Sequence, residues 1–539
     1  MYVNHLSLTR AALYRNEWAV KINGDEQVAR LVADRNGFRF VASVIPGYFR
    51  FSNPSVKKRS LTKDWMFHTK LVGDEKVIWA KQQISKRRGV RNKISFNDPF
   101  SPDMWYLNSG KMNIMEAYTS FNVSGSGINV VVVDDGLEWD HPDLAKNYNS
   151  LISYDVTDGD ADPRPVLNLG SVESSHGTCC AGIIAAEANN SICMAGVAYN
   201  AKIGAIRINV FEMSDVEESQ ALTYKLHLTD IYSNSWGPSD SGQVLDRPEE
   251  MLSQAIFYGV SKGRNGLGNI YVWASGNGGI HDGCGADGFT NSMFTISVSA
   301  TTRAHTIPAY SEPCSGIMVS AYSGFISTTT TRKKCTQSFG GTSASGPFVS
   351  GIIALALQIN KRLTWRDVQY LLITTAQPIL KTNDWVTNGI GLKAVSHFFG
   401  FGLVDALEMV RQSSSWSQVP EQHHCRSEVL GYLYEYVCVR VCVCVRVCVC
   451  VCVCVCNRVL YLEHVLCVIT LNAEFRGQVE IFLMSPTGTT SQLMFIRPKD
   501  LTNEGFNEWS FLSLFYWGED PSGLWILKIK NRKTSCEFS

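Results

Sequence analysis

Three short segments together could carry out nucleophilic acyl transfer. Gly341-Thr342-Ser343-Ala344-Ser345 sets a serine among small residues, which leaves space for a substrate. His176-Gly177-Thr178 offers a base that can take the serine proton and return it to a leaving amine. Asp134-Asp135-Gly136 follows the apolar run Val130 to Val133 and offers a carboxylate to orient that histidine and stabilise its imidazolium. Alone, each is ordinary: a helix-capping serine, a core or surface histidine, a turn-capping aspartate. Together, in the order Asp…His…Ser, they form one catalytic constellation, and unrelated serine hydrolases use other orders. Ser343 is expected to begin a helix, whose free N–H groups can help hold an oxyanion. Asn277, in Trp273-Ala274-Ser275-Gly276-Asn277-Gly278-Gly279, adds an amide donor for the same charge, worth about 3–4 kcal/mol, although Asn-Gly also reads as a turn.

Positioning these groups requires strands that end where they stand. Ile128 to Val133 is a near-continuous Val/Ile run, as expected for a strand buried on both faces. Ile203 to Ile208, Asp230 to Ser233, Ile270 to Ala274 and Phe294 to Val298 repeat the pattern, and Ser345 to Asn360 is apolar. Residues from about 100 to 410 therefore predict a doubly wound α/β domain with a largely parallel sheet. Before it, residues 1–91 form a small basic unit with a strand at Trp18 to Ile22 and an amphipathic helix from Gln27 to Arg35. After about residue 416, Val468 to Asn472, Val479 to Leu483, Gln492 to Ile496 and Leu524 to Ile529 read as strands of an all-β domain.

The 539 residues exceed one domain, and 45% hydrophobic content supports a large core. With 49 basic and 49 acidic residues, the balance gives no reason to expect nucleic acid or a membrane surface as partner. Met1 to Trp18 has no apolar core of a signal peptide. That implies either a cytosolic protein or a gene model that begins late, and the reading below favours the latter. No long apolar run reads as a membrane span, so no membrane anchor is visible. Eight of 17 cysteines lie between Cys438 and Cys456, and the others suit a few disulfides in an oxidising compartment. Cys179-Cys180 is adjacent and has no zinc-site spacing. Val437 to Cys456 alternates Val and Cys, broken by Arg440 and Arg446, as a translated TGTG repeat would. It reads as a retained non-coding repeat and, if translated, an aggregation hazard.

The chain resembles the proprotein convertases of the subtilisin/kexin family, the furin-like peptidases S8. The resemblance rests on the motifs above with Trp105-Tyr106-Leu107, His141-Pro142-Asp143-Leu144, Tyr232 to Pro238, Leu363 to Asp367, Leu462-Glu463-His464 and Gly505 to Trp509. It implies an inhibitory prodomain (1–91), a subtilisin-like catalytic domain (92–415) and a β-rich P domain (416–539), the last interrupted by residues 437–456 and expected to lack its final strands. It also implies calcium-dependent cleavage of proprotein substrates after paired or multiple basic residues in the secretory pathway (trans-Golgi, granule or secreted), with the chain's own prodomain as inhibitor.

The resemblance assigns fixed carboxylates to basic substrate side chains, which need them. Asp240 and Asp287 would line the pocket for the arginine before the scissile bond. Asp135 and Glu173 would face the next basic side chain, and Glu218 and Asp246 an arginine four residues before the bond, with Glu212 and Asp215 further out. Asp155, Asp160 and Asp162 form an oxygen-ligand cluster within one loop, which reads as a calcium site or a plain acidic turn. By resemblance, Asp98, Asp143 and Asn190 form a second calcium site, and Asp240, Asp282 and Glu312 a third. Arg88-Gly89-Val90-Arg91 suits self-cleavage after Arg91, with Arg88 the alternative, and Arg59 resembles an internal prodomain site. Cys193–Cys335 and Cys284–Cys314 are the implied disulfides.

Several positions depart from the family pattern. Asn53 stands where a pH-sensing histidine can occur, Val210 replaces an aspartate in the cleft, and Ser239 and Ser241 flank Asp240 where acids are usual. Phe339-Gly340 replaces His-Thr, Cys179 replaces an arginine, and Arg476-Gly477-Gln478 departs from Arg-Gly-Asp. These changes imply weaker affinity for multibasic sites. The competing reading is an inactive relative or damaged gene product that acts only by binding. A cytosolic subtilase is a third reading.

Overall fold

The structure is a computed structural model that describes residues 14–58, 60, 62–85, 94–108, 110–166, 175–379, 384–391, 394–426, 447–454 (backbone alone) and 459–532. The chain divides into two compact units, Met1–Asn92 and Lys93–Ser539. In the first, four antiparallel strands run in the order Arg39–Ile45, Tyr48–Ser52, Tyr14–Ile22, Val77–Ile84, with helices Glu26–Arg35 and Trp65–Val72. Asp25 and Asp64 start the helices by accepting the N–H of Val28 and Phe67. Trp18, Val32, Phe38, Phe51 and Leu71 fill the core. Asn53 is buried, donating to the Gly37 carbonyl and accepting from Ser55 N–H. A neutral amide thus occupies the position in which the family can carry a histidine.

The second unit is organised by a seven-stranded sheet. Its order is Val319–Tyr322, Thr295–Thr301, Ile270–Ala274, Ile231–Asn234, Asn129–Asp134, Lys202–Arg207, Tyr154–Asp155, and every pairing is parallel. Alternation along the central strand sends Val130 and Val132 to one core and Val131 and Val133 to another, so both faces are covered. The chain leaves Asn129–Asp134 toward one edge of the sheet and later resumes on its other side. That reversal opens a crevice at the carboxyl ends of the strands. The strands expected from sequence are all present, with ends shifted by a few residues.

Helix Thr342–Ile359 crosses this sheet and is 89% buried. It is the one helix among the described residues long and apolar enough to span a membrane, and its apolar character serves the core.

The C-terminal β region contains a four-stranded antiparallel sheet, ordered Val447–Cys454, Gly523–Asn531, Val479–Met484, Thr490–Met494, and the pair Val465–Leu471 with Phe506–Ser513. The Val/Cys repeat thus supplies an edge strand, paired residue for residue with Gly523–Asn531. Half its residues are β-branched valines, which suit an extended conformation. The region is bonded to the sheet domain: Trp509 Nε1 donates to the Gly285 carbonyl (2.9 Å), Arg366 pairs with Glu463, and Arg497 pairs with Asp282 (3.0 Å). Disulfides Cys193–Cys335 and Cys284–Cys314 are formed, as the resemblance implied, and Cys425 is also disulfide-bonded.

Candidate active site

Asp134 is the last residue of its parallel strand, and both its carboxylate oxygens lie 2.9 Å from Nδ1 of His176. His176 opens helix His176–Ala185. Gly177 lets the helix start approach the strand end: a Cβ there would meet the Gly136 carbonyl oxygen at 2.4 Å. Asp135 caps this start, accepting His176 N–H (3.1 Å) and Gly177 N–H (2.7 Å). Burial and the neighbouring Asp134 push its carboxyl up to about 7. At His176, burial disfavours the charged ring, yet the Asp134 carboxylate outweighs it and raises the imidazole well above its usual value. Asp134 therefore fixes the ring with Nδ1 facing the carboxylate and leaves Nε2 for a nucleophile.

Ser343 is the second residue of helix Thr342–Ile359, after Gly341, whose φ of 70° suits glycine. Cys180, one turn into the histidine helix, ties the two groups together. Its Sγ donates to the Ser343 carbonyl (3.6 Å) and lies 4.0 Å from His176 Nδ1. Ser235 Oγ donates to the same carbonyl (3.4 Å). Asn277 follows strand Ile270–Ala274, and its Oδ1 accepts both Thr342 N–H (2.8 Å) and Thr342 Oγ1 (3.1 Å). Two donors on the oxygen orient the amide so that Nδ2 remains a donor. The N–H of Ser343 belongs to the first turn, where donors lack an intrahelical acceptor. The helix start that carries Ser343 thus meets the oriented imidazole through Cys180 and the amide through Thr342. Together they can carry out acyl transfer with oxyanion stabilisation.

His176, Asn277 and Thr342, the residue before Ser343, line a cleft of about 500 Å³ with Val210, Phe211, Trp236, Pro238, Asp240 and Asp287. Asp287 is half-buried, and desolvation pushes its carboxyl up to about 7, against N–H bonds from Phe289 and Thr290. A Cβ on Gly237 would stand 3.3 Å from Asp287 Oδ2, so glycine keeps this carboxylate open to the cleft. Asp240 accepts Asn277 N–H (2.9 Å), and burial raises its carboxyl. Glu218 is raised to about 7 by burial, then by Asp246, Asp215 and Glu249, which puts Glu218 and Asp246 in one acidic group. Asp246 is also bridged through its backbone to Asp287. Asp215 caps helix Glu250–Gly266 by accepting Met251 and Leu252 N–H. Glu212 donates its backbone N–H to the Asn209 carbonyl. Glu173, Arg59, Arg88 and Arg91 lie outside the described residues.

The oxygen-rich sets differ from one another. Asn190 Nδ2 donates to Asp143 (2.7 Å), and the N–H groups of Asn189 and Asn190 donate to Asp98. Burial and nearby Asp98 and Glu187 push Asp143 up to about 7, against hydrogen bonds from Asn190 and Met194. Glu312 is raised well above its usual value by burial, then by Asp282 and Asp240. Asp98 and Asp143 in one set, and Asp282 and Glu312 in the other, gather carboxylate oxygens away from water, the chemistry a hard divalent cation suits. The loop set is satisfied internally. Buried Arg207 pairs with Asp155 and reaches Asp158, Asp160 accepts Asp162 N–H, and Asp162 accepts Trp139 Nε1–H. Among the described residues, the tightest group with metal-ligating atoms is Asp134, His176 and Cys180, within 4.8 Å of one another. Sequence reasoning missed Cys180 because an adjacent cysteine pair has no ligand spacing. The cue was its position four residues after His176, one helical turn away.

The comparisons agree with this fold. The subtilase family matches residues 125–402, the peptidase S8 pro-domain residues 17–91 and the proprotein convertase P-domain residues 462–537. Mouse furin is 43% identical over 98% of this chain and 67% of its own length. Human proprotein convertase subtilisin/kexin type 6 is 43% identical over 96% of this chain and 56% of its own length. The serine protease of Aeromonas sobria superposes with a TM-score of 0.69 at 21% identity, covering 83% of this chain and 91% of that one, and shares the fold. With the subtilase match spanning the sheet, a pro-domain match before it and a P-domain match after it, this chain belongs to the subtilase family as a subtilisin-type serine endopeptidase of the proprotein convertase kind.

Proposed function

We propose that the enzyme cleaves proproteins of the secretory pathway after basic residues, within paired or multiple-basic sequences, and that it depends on calcium. The observation that carries this reading is the pair Asp240 and Asp287, two carboxylates lining a cleft that also holds His176 and Asn277. An arginine side chain entering there would meet two carboxylates whose charged forms it would favour, since both are held above their ordinary range. Ser343 is the nucleophile, His176 the general base and then acid, Asp134 its orienter, and Asn277 with Ser343 N–H the oxyanion donors. Glu218 and Asp246 take an arginine four residues before the bond, and Asp135 and Glu173 flank the position between.

Calcium is held by Asp98, Asp143 and Asn190, and by Asp240, Asp282 and Glu312, where it adds positive charge to that of Arg497 on Asp282. At Asp155, Asp160 and Asp162 it would have to compete with Arg207. Residues 1–91 act as the inhibitory prodomain, released by cuts after Arg91 and Arg59, with the catalytic domain at 92–415 and the P domain at 416–539. The hydrogen-bonded Asp134–His176 pair does not favour a binding-only role.

The test is secretion-directed expression of the full chain, assayed on a fluorogenic Arg-x-Lys-Arg peptide with calcium or chelator, beside Ser343→Ala. Cleavage after the last arginine that needs calcium and is lost in Ser343→Ala supports the reading. Calcium-independent cleavage, or cleavage elsewhere, refutes it.

A further inference from the structure

The two ends of the cleft differ chemically. At one end stand Asp240 and Asp287. At the other, beside His176, stand Val210 and Phe211. Both follow strand Lys202–Arg207, whose continuation is tied to the catalytic strand by Ile208 N–H donating to the Asp134 carbonyl (2.9 Å). Asn209 then holds a turn, its Oδ1 accepting Phe211 N–H (3.3 Å) and its carbonyl accepting Glu212 N–H (3.0 Å). The turn presents Phe211 with 80% of its surface exposed. Phe339 adds another apolar group, its ring 5.5 Å from the His176 imidazole.

Little negative charge is free at this end. Among the described residues lining the cleft, the carboxylates there are Asp134 and Asp135. Asp134 is committed to His176, and each oxygen of Asp135 takes an N–H from the helix start. A lysine ammonium placed against Val210 and Phe211 would lose water and, among the described residues at this end of the cleft, meet only carboxylates already bonded to His176 or to the helix start. An aliphatic side chain would instead cover Phe211.

An extended substrate sends successive side chains to opposite sides. With an arginine in the Asp240–Asp287 pocket, the preceding side chain faces the opposite wall, where His176, Val210 and Phe211 stand. The chain's own sequence has a matching residue at that place. In Arg88-Gly89-Val90-Arg91 the residue before the last arginine is Val90, with a second arginine three residues before the bond-forming one.

We propose that the subsite beside His176 selects an apolar side chain, so that the preferred site is Arg-x-apolar-Arg, with basic residues at the bond and three residues before it. This rests on the reading above that the enzyme cuts after arginine with a second arginine four residues before the bond, and it replaces the basic side chain between them with an apolar one.

The test compares the full secreted chain on three peptides that differ at one position: Arg-Gly-Val-Arg, Arg-Gly-Lys-Arg and Arg-Gly-Ala-Arg. The valine peptide is expected to exceed the lysine peptide at least about 10-fold in kcat/KM, the scale on which apolar pockets discriminate. The Val210→Asp, Phe211→Gly double variant is expected to abolish or reverse that preference by raising turnover of the lysine peptide. Because Phe211 is exposed, Phe211→Gly alone provides a second variant that keeps the fold. Its valine preference should shrink. Cleavage of the alanine peptide with equal or better use of lysine than valine overturns the proposal alone. So does a valine preference that survives the double variant. Cleavage of none of the three overturns the arginine reading and the proposal with it.

Discussion

The Asp134 carboxylate meets His176 Nδ1 with both oxygens at 2.9 Å, from the last residue of a strand buried on both faces. A base held this way depends on a strand end that cannot move without disturbing two hydrophobic cores. Asp134→Asn keeps the shape and removes the charge that selects the tautomer. A loss of about 10,000-fold in kcat is expected, with an unchanged melting temperature in the Ser343→Ala background as the check on folding.

The same contact sets the pH dependence. The Asp134 charge raises His176 above its usual value despite burial, and only the neutral ring is a base. Activity should rise with pH along a limb whose midpoint lies above the free-histidine value of about 6.5. The sign for stability is opposite. A raised histidine contributes fully below about pH 6.5 and the contribution is lost as pH climbs through its folded value. Profiles of kcat/KM and of Ser343→Ala melting temperature, measured over the same pH range, should therefore slope in opposite directions.

Asn277 offers a cleaner test of the oxyanion reading. Its Oδ1 holds Thr342, and Nδ2, which also reaches the Asp240 carboxylate, has a second proton to donate. Asn277→Asp keeps an acceptor for Thr342 and removes the donor. A fall of about 100- to 1,000-fold in kcat with little change in KM is expected from steady-state kinetics.

Asp143 is buried and pushed up to about 7, so the folded state holds a proton that the unfolded chain releases near pH 4. Without a cation, stability should fall as pH rises from about 4 toward about 7. Calcium should restore it. Asp143→Asn should flatten that decline and reduce the gain in melting temperature on adding calcium. A calcium gain undiminished in Asp143→Asn would place the ion elsewhere.

Arg497 joins the two β-bearing parts of the second unit. It is fully buried, bonded to Asp282 (3.0 Å), Asp500 (2.9 Å) and the Val244 carbonyl. Arg497→Met would leave buried Asp282 without its arginine, while Asp500 keeps Arg476, and a loss of about 3–5 kcal/mol is expected in denaturant unfolding. Arg411→Met, whose pair with Glu408 lies within one exposed helix face, should cost no more than about 1 kcal/mol in the same assay.

Much of this molecule was legible along the chain because the informative signals were local. A Val/Ile run ending in Asp134, a His-Gly-Thr at a close helix approach and a serine after two glycines each declare an element and its end. Periodicity of apolar residues placed the strands and the helices between them, since burial on one or both faces imposes a repeat. Even the disulfide pairs followed once the family resemblance was drawn from these motifs.

The partners of individual side chains were decided only by the fold. Asp155 meets Arg207 across 52 residues, Cys180 meets Ser343 across 163, and Arg497 meets Asp282 across 215. Asp135 caps a helix 41 residues on, and the Val/Cys repeat becomes an edge strand by pairing with residues near the other end of the chain. A residue's type and spacing state which bonds it can make. Which bond it does make depends on the donor or charge that packing brings within about 3 Å, and that is a property of the folded chain.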